Sequence, residues 1–403
     1  MDNSIIVDKN GLPIKKAALS TPLATPSVTG VRNIFAYGSE ADKISPARLA
    51  SLLRDAVDGD ATAYLTLAEE MEEKDLHYAS VLGTRKRAIS GLDVIVEAGG
   101  DDSQQSAIAD AVRELINMPE FSTARDELLD GLGKGYSVVE INWDTKQTPW
   151  QPKNRWHIKD GQVHEQEGYI WRDPRFFKYD NETGRKLRLI DDDNSIDGIP
   201  LAPYRFIVHE PKLKTGLPIR GGLARLVATA YMCKSYTLTD WLAFAEVFGM
   251  PLRVGKYGPG ATQPDINTLI NAVANIGTDA AAVIPESMRI DFESPGNTQG
   301  AAELFKNLAE WLDRQVSKAV LGQTASSEGT PGKLGNEDSQ EDVRQDILKA
   351  DCKALDATLN RDLVRAFVDL NFGQQKLYPR IVHQITEAED TKALSLIHIS
   401  EPT

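Results

Sequence analysis

Three runs of helical periodicity in the second half of the chain constrain its fold more than any other feature. The first extends from Leu223 to about Phe248, with Leu226, Ala230, Cys233, Leu238, Leu242 and Phe244 among its apolar positions. At 1.5 Å per residue it is roughly 40 Å long, which is long for a globular domain. The second, Gln299 to Leu321, is roughly 35 Å by the same rise. The third spans about Glu337 to Leu370, with a stripe of Val343, Ile347, Leu348, Leu355, Leu359, Leu363 and Phe367. Between the first two lie a strand at Pro251–Lys256, a helix at Pro264–Ile276 and a strand pair or broken strand at Ala281–Phe292. Residues 250–296 thus read as a compact strand–helix–strand insert. Between the second and third runs, Gly322 to Asn336 is low in apolar residues and carries Gly322, Gly329, Gly332 and Gly335. That pattern predicts a mobile loop. Amphipathic helices too long for their own domain need neighbours, and rotational symmetry would supply a continuous wall.

The first half reads differently. Residues 1–40 mix Pro, Ser, Thr and Gly without sustained periodicity and predict an extended arm. Ser45-Pro46 supplies an N-cap followed by Pro at the first helical position, opening a helix through Leu49, Leu52, Leu53 and Ala56. A second helix runs from about Ala61 to Glu73, and its Glu69–Glu73 run reads as an exposed face. Asp75 caps a third, with Tyr78, Val81, Leu82, Arg85 and Ile89 at helical spacing. Leu92–Glu97 alternates as a short strand, and helices follow around Ser103–Asn117 and Ser122–Leu132. Tyr136–Trp143 is a strand whose adjacent Val138 and Val139 predict cover on both faces. From Trp150 to Val208 aromatics alternate with turn signals such as Asp160-Gly161, so the text is β-like throughout. The fold class expected is α+β: an α+β body over 41–215, followed by the long helices and their insert.

Composition bounds the function. Hydrophobic residues are 41% and charged residues 26% of 403, which excludes wholesale disorder. No apolar run approaches the ~18–20 residues needed to span a bilayer, so no membrane partner is expected. Cys233 and Cys352 stand far apart with no paired framework, as in a reducing compartment. Forty-five basic residues against 59 acidic ones leave a charge of −14. A protein that grips duplex DNA usually carries a basic face, so tight nucleic-acid binding is disfavoured. Loose passage of DNA past an acidic wall is not.

No catalytic or metal motif completes itself, and no cofactor is implied. His164-Glu165 and His209-Glu210 each begin like a zinc-protease HExxH, but Gly168 and Leu213 stand where the second histidine should be. Asp191-Asp192-Asp193 resembles the start of a calcium loop, yet Ile196 occupies the glycine position, leaving a solvated acidic turn. Gly329-Thr-Pro-Gly332-Lys333 lacks the phosphate-loop frame, with Leu334 in place of the hydroxyl residue. Arg85-Lys86-Arg87 is the densest basic cluster. Its simplest role is ion pairing with the glutamate-rich helix before it, and phosphate contact is the alternative. Lys333, the lone cation in a glycine-rich loop, could touch a passing phosphate backbone.

The order of these segments resembles the Mu-like type of tailed-phage portal protein. The resemblance rests on Asp75–Arg87 (DLHYASVLGTRKR), Gly135–Trp143 (GYSVVEINW), Phe206–Gly222 (FIVHEPKLKTGLPIRGG), Trp241–Gly258 (WLAFAEVFGMPLRVGKYG) and Val316–Thr324 (VSKAVLGQT). It implies a wing over 41–215, stem helices over 216–249 and 297–321, and a clip over 250–296. It also implies a tunnel loop over 322–337, holding Gly329, Gly332, Lys333 and Gly335, and a wing helix directed toward the crown over 338–375. The function implied is a ring, usually dodecameric, at one capsid vertex of the virion, assembled in the bacterial host cytoplasm. The partners implied are further copies of the chain, the terminase large subunit, head-completion or neck proteins, capsid and scaffold proteins, and double-stranded DNA passing without sequence-specific binding. A head–tail adaptor, a ring scaffold without a motor and a metal-dependent nuclease are the alternatives. The final residues, LSLIHISEPT from Leu394, read like translated sequencing-adapter text, so a truncated tail over 376–403 is expected.

Overall fold

The computed structural model describes residues 13–35, 38–146, 148–154, 156–159, 162–165, 167–249, 253–275, 281–285, 298–324 and 337–385. The chain divides into two compact units: residues 1–229 with 316–403, and residues 230–315.

The first unit opens with the short helix α1 (Lys16–Ser20), then α2 (Pro46–Val57), α3 (Thr62–Lys74) and α4 (Leu76–Ser90). The caps read from sequence are in place. Ser45 Oγ accepts from the Arg48 N–H at 3.2 Å, and Asp75 Oδ1 accepts from His77 and Tyr78 N–H groups at 3.0 and 3.1 Å. Strand β1 (Val94–Glu97) and helices α5 (Ser103–Ile116), α6 (Pro119–Leu128) and α7 (Gly131–Lys134) follow. α6 starts at Pro119, earlier than the expected Ser122, because proline at the first helical position costs no hydrogen bond.

Strand β2 (Ser137–Ile141) is the centre of an antiparallel sheet in the order β11–β2–β7, with β7 at Tyr169–Arg172 and β11 at Phe206–His209. Val138 pairs with Arg172 on one side and Val208 on the other. All five β2 residues are buried, as the adjacent valines predicted. Short hairpins join β3 (Trp143–Asp144) to β4 (Gln151–Pro152) and β5 (Trp156–Lys159) to β6 (Gln162–Glu165). A second sheet takes β8 (Phe177–Tyr179), β9 (Leu187–Asp191) and β10 (Asn194–Pro200) in the order β10–β9–β8.

The expectation of an extended arm over 1–40 needs correction from residue 13 onward. Leu19 and Ala24 are fully buried. The reason is Glu140, a carboxylate in the middle of β2 with no solvent exposure. It accepts from the Leu23 and Ala24 N–H groups at 2.6 and 3.1 Å, from Arg172 Nε at 2.8 Å and from Arg205 Nη2 at 2.5 Å. Arg205 also donates to the carbonyls of Ala18 and Thr21. Chain entry and central strand are therefore fastened by one buried charge cluster, and every buried charge in it has an opposite partner. The acidic turn at 191–193 also helps hold the arm, since Asp192 Oδ1 accepts from Val31 N–H at 2.9 Å.

The chain continues through α8 (Leu223–Gly249), β12 (Arg253–Tyr257), α9 (Gln263–Asn275), β13 (Ala281–Pro285) and α10 (Thr298–Leu321). β12 and β13 pair in parallel from Arg253↔Ala281 to Tyr257↔Pro285. A parallel pair needs a crossover, and α9 supplies it. The expected continuation of the second strand to Phe292 lies outside the described residues. α11 (Glu337–Leu359) runs through a π-helical turn, Asn360–Val364, into α12 (Arg365–Phe372). The last strand, β14 (Arg380–His383), pairs antiparallel with β1 and buries Ile381, so the expected tail over 376–403 is corrected: it belongs to the fold at least as far as residue 383.

Candidate functional site

The second unit presents the feature that most demands a partner. Inside it α8 and α10 run antiparallel: Lys234 Nζ meets Asp313 Oδ1 at 2.6 Å, and the Phe244 and Phe305 rings lie 5.7 Å apart between centroids. Tyr231 and Thr237 on α8, and Ala309 and Leu312 on α10, are buried. Beside this contact six large apolar side chains are exposed: Tyr236, Leu238 and Leu242 on α8, and Leu304, Leu308 and Trp311 on α10. Leu242 and Leu304 are 68% and 66% exposed, so nothing among the described residues covers them.

Their angular positions decide what could. An α-helix turns about 100° per residue. Seen from the N-terminal end of α8, Leu238 and Leu242 lie about 100° and 140° clockwise of Thr237, which marks the contact line. α10 runs the other way, so in the same view Leu308, Leu304 and Trp311 lie about 100° to 160° clockwise of Ala309. The two helices face each other, so equal rotations carry the two stripes to opposite sides of the layer. Tyr236 falls on the α10 stripe's side. Glu310, which bridges Lys306 at 3.5 Å and Arg314 at 3.8 Å, falls on the side of Leu238 and Leu242.

A two-fold contact buries one patch against itself and leaves the other exposed. A head-to-tail contact covers both stripes in every copy and generates a ring when the rotation closes.

The residues singled out from sequence divide into two groups. Gly329, Gly332, Lys333 and Gly335 lie outside the described residues. Arg85 and Lys86 are committed within the first unit. Arg85 Nε and Nη2 donate to Asp351 on α11 at 2.7 and 2.9 Å, and its Nη1 donates to the Val320 carbonyl at 2.7 Å. Lys86 bridges Glu72 at 2.9 Å and Asp130 at 3.3 Å. The pairing with the glutamate-rich helix therefore holds for Lys86, and Arg85 instead reaches α11. Arg87 alone of the three is exposed. The sequence did carry a signal for Arg85, which falls in the apolar stripe of α4 with Tyr78, Val81, Leu82 and Ile89. The glutamate run is also less free than expected: Glu69 bridges Arg175 at 2.8 Å and Glu70 bridges Lys74 at 2.9 Å.

Sequence reasoning missed the Glu140–Arg172–Arg205 cluster, because its members stand 32 and 65 positions apart and no local pattern links them. His209, rejected as a zinc ligand, is buried with Nδ1 3.1 Å from Thr358 Oγ1, and burial pushes its imidazole down to about 3. Among the described residues no group of three or more His, Cys, Asp or Glu side chains is gathered to hold a metal ion, and no helix is long and apolar enough to cross a membrane.

The chain thus combines an α+β unit with a second unit whose two long helices carry exposed apolar side chains on opposite sides of their layer. The chain belongs to the family of portal proteins of Mu bacteriophage, whose pattern it matches over residues 65–398. It is similar to the portal protein of Escherichia phage Mu, with 35% identity over 358 residues, covering 87% of this chain and 66% of that protein. It is also similar to the Mu-like prophage FluMu protein gp29 of Haemophilus influenzae, with 34% identity over 367 residues, covering 88% of this chain and 66% of that one. The chain thus spans 66% of the length of these relatives. Among solved structures, an HK97 family phage portal protein from Corynebacterium diphtheriae overlaps 91% of this chain and 100% of its own at a TM-score of 0.40 and 12% identity. The neck of an empty GTA particle overlaps 93% of each chain at a TM-score of 0.40 and 15% identity.

Proposed function

We propose that this chain is the protomer of a portal ring at a capsid vertex, a structural conduit for double-stranded DNA during packaging and ejection, without catalytic activity of its own. The observation that carries the reading is the pair of opposed apolar stripes on α8 and α10, in a chain that belongs to a portal family. On this reading residues 41–215 are the wing, 216–249 and 297–321 the stem, 250–296 the clip and 338–375 the wing helix. The clip, β12–α9–β13 with its parallel pair, is the docking site for the terminase large subunit and later for neck proteins. Capsid and scaffold proteins contact the ring from outside. Residues 322–337 form the tunnel loop, with Gly329, Gly332, Lys333 and Gly335 toward the DNA. Of the basic trio, Arg87 keeps an exposed side chain suited to a phosphate contact. A net charge of −14 keeps the duplex from sticking to the wall.

The test is electron microscopy of the purified chain beside the variant Leu308→Asp/Trp311→Asp. Wild type should give closed rings with a central channel. The variant should give monomers with the far-UV circular dichroism of wild type, because both positions are exposed within the chain. Rings that survive the double substitution remove the stripe from the interface, and a wild type that stays monomeric removes the ring.

A further inference from the structure

The first unit carries a groove that the conduit role leaves unused. Its cavity measures about 510 Å³ and lies between the β9 and β11 strands and the π-helical turn. Leu187, Leu201, Pro203, Tyr204, Phe206 and Val208 give it an apolar floor. Arg185, Lys186, Arg361 and Arg365 stand around it. A smaller cavity of about 250 Å³ shares Arg185 and Glu210 with the first and adds Lys212 and Lys214. All six cations are exposed; Glu210 and Asp362 oppose them in the lining, and Asp369, its side chain 3% exposed, pairs with Arg365 from outside the lining at 3.8 Å. On a chain with a net charge of −14 this is a local reversal of sign.

Two of the cations are oriented in advance. Arg361 Nη2 donates to the Val208 carbonyl at 2.6 Å and to Asp362 Oδ2 at 2.7 Å. The Arg365 guanidinium lies 5.5 Å from the Tyr378 ring centroid. The π-helical turn makes the Arg361 contact possible: an extra residue in the turn shifts Arg361 and Asp362 relative to the regular helix and sets them against the edge of β11. Asp362 Oδ2 accepts from the Val208 N–H at 3.0 Å. The strand edge is thereby closed at Val208, so a bound segment would be held by side chains rather than by strand addition. Cations already fixed by neighbours lose little further freedom on binding. Arg185, Lys186, Lys212 and Lys214 make no ion pair among the described residues and are free to respond to an incoming charge.

We propose that this groove is a docking site for an acidic segment of a protein partner, one that seats an apolar side chain on the floor while its carboxylates meet the basic rim. The volume suits a few side chains. A DNA duplex is too wide to reach an apolar floor of this size, and its phosphates would leave that floor uncovered. A second copy docking here would couple the groove to the oligomeric state, and the experiment separates that outcome.

The probe is a fluorescein-labelled peptide of repeated Glu-Leu-Glu-Glu, titrated with the full chain in anisotropy measurements at low and high salt. Its Lys-Leu-Lys-Lys counterpart and a labelled short duplex serve as comparisons. The acidic peptide should bind and weaken with salt, whereas the basic peptide and the duplex should not bind at the same protein concentration. Arg185→Glu/Lys186→Glu should weaken the acidic peptide about tenfold or more, with the urea midpoint and ring state unchanged. Lys353→Glu, an exposed reversal on α11 away from the groove, should leave binding intact. The proposal is overturned if the acidic peptide fails to bind, if the groove reversal leaves its affinity unaltered, or if the duplex binds equally well. It is also overturned if the reversal disperses the ring, which would assign the groove to a second copy. The anisotropy outcomes stand whether or not the chain forms a ring, and only the ring-dispersal outcome draws on the proposed function.

Discussion

Replacing Arg85 with alanine should cost this protein more than any surface ion pair could. The Arg85 and Asp351 side chains are 9% and 4% exposed, and their bidentate contact joins α4 to α11. The third bond, to the Val320 carbonyl, satisfies a C-terminal peptide group of α10 that has no partner further along its helix. Arg85→Ala removes all three bonds and leaves the Asp351 carboxylate buried without its counter-charge. Breaking one side of a buried pair costs ~3–5 kcal/mol, whereas removing both charges in favour of apolar groups is often neutral. Arg85→Ala should therefore lower the unfolding free energy of the first unit by about 3–5 kcal/mol. Arg85→Lys should fall between, since an ammonium keeps the charge but cannot reproduce the planar fork. Arg85→Met/Asp351→Leu should recover most of the loss. Urea unfolding followed by tryptophan fluorescence gives the free energies. Hydrogen exchange should show the added loss of protection at the end of α10 and in α11, the helices that bracket residues 325–336. A single variant within about 1 kcal/mol of wild type, or a double variant no better than the single, would refute the reasoning.

Acid should expose His209 in a second way. Its imidazole is depressed to about 3 in the fold by burial, against ~6.5 in the unfolded chain, so only the unfolded state gains a proton between those values. Its contribution is complete above about pH 6.5 and lost progressively as pH falls toward 3, at up to ~1.4 kcal/mol per pH unit. His209→Gln should flatten the pH dependence of the urea midpoint in that window, and an unaltered slope would remove His209 from the acid response. In the proposed tunnel loop, Lys333→Ala should leave ring assembly and terminase ATPase intact while changing nuclease-protected packaged DNA in a salt-dependent way. Deleting Thr330–Lys333 should act more strongly because it also shortens reach, and wild-type packaging by both variants would leave the loop as a connector only.

What the sequence determined by itself was local in origin. Ser45-Pro46 and Asp75 mark helix starts because an oxygen acceptor one residue ahead of a helix satisfies N–H groups two and three positions on. Val138-Val139 marks a strand covered on both faces because successive strand side chains point to opposite sides. The three long helices and the strand–helix–strand order around α9 follow from periodicity within their own segments, whereas the parallel pairing of β12 with β13 was decided by the fold. Glu140, Arg172 and Arg205 could not be read this way. Each is an ordinary charged residue in its own neighbourhood, and only the fold brings them together across 32 and 65 positions with the arm at Leu23 and Ala24. Arg85 and Asp351 meet across 266 positions. The opposed stripes on α8 and α10 are an intermediate case. Periodicity shows that each helix is apolar, but only the antiparallel packing fixed by Lys234–Asp313 and Phe244–Phe305 decides which apolar residues face inward. Charge pairing and the choice of exposed face depend on distances between remote segments, and those distances exist only once the chain has folded.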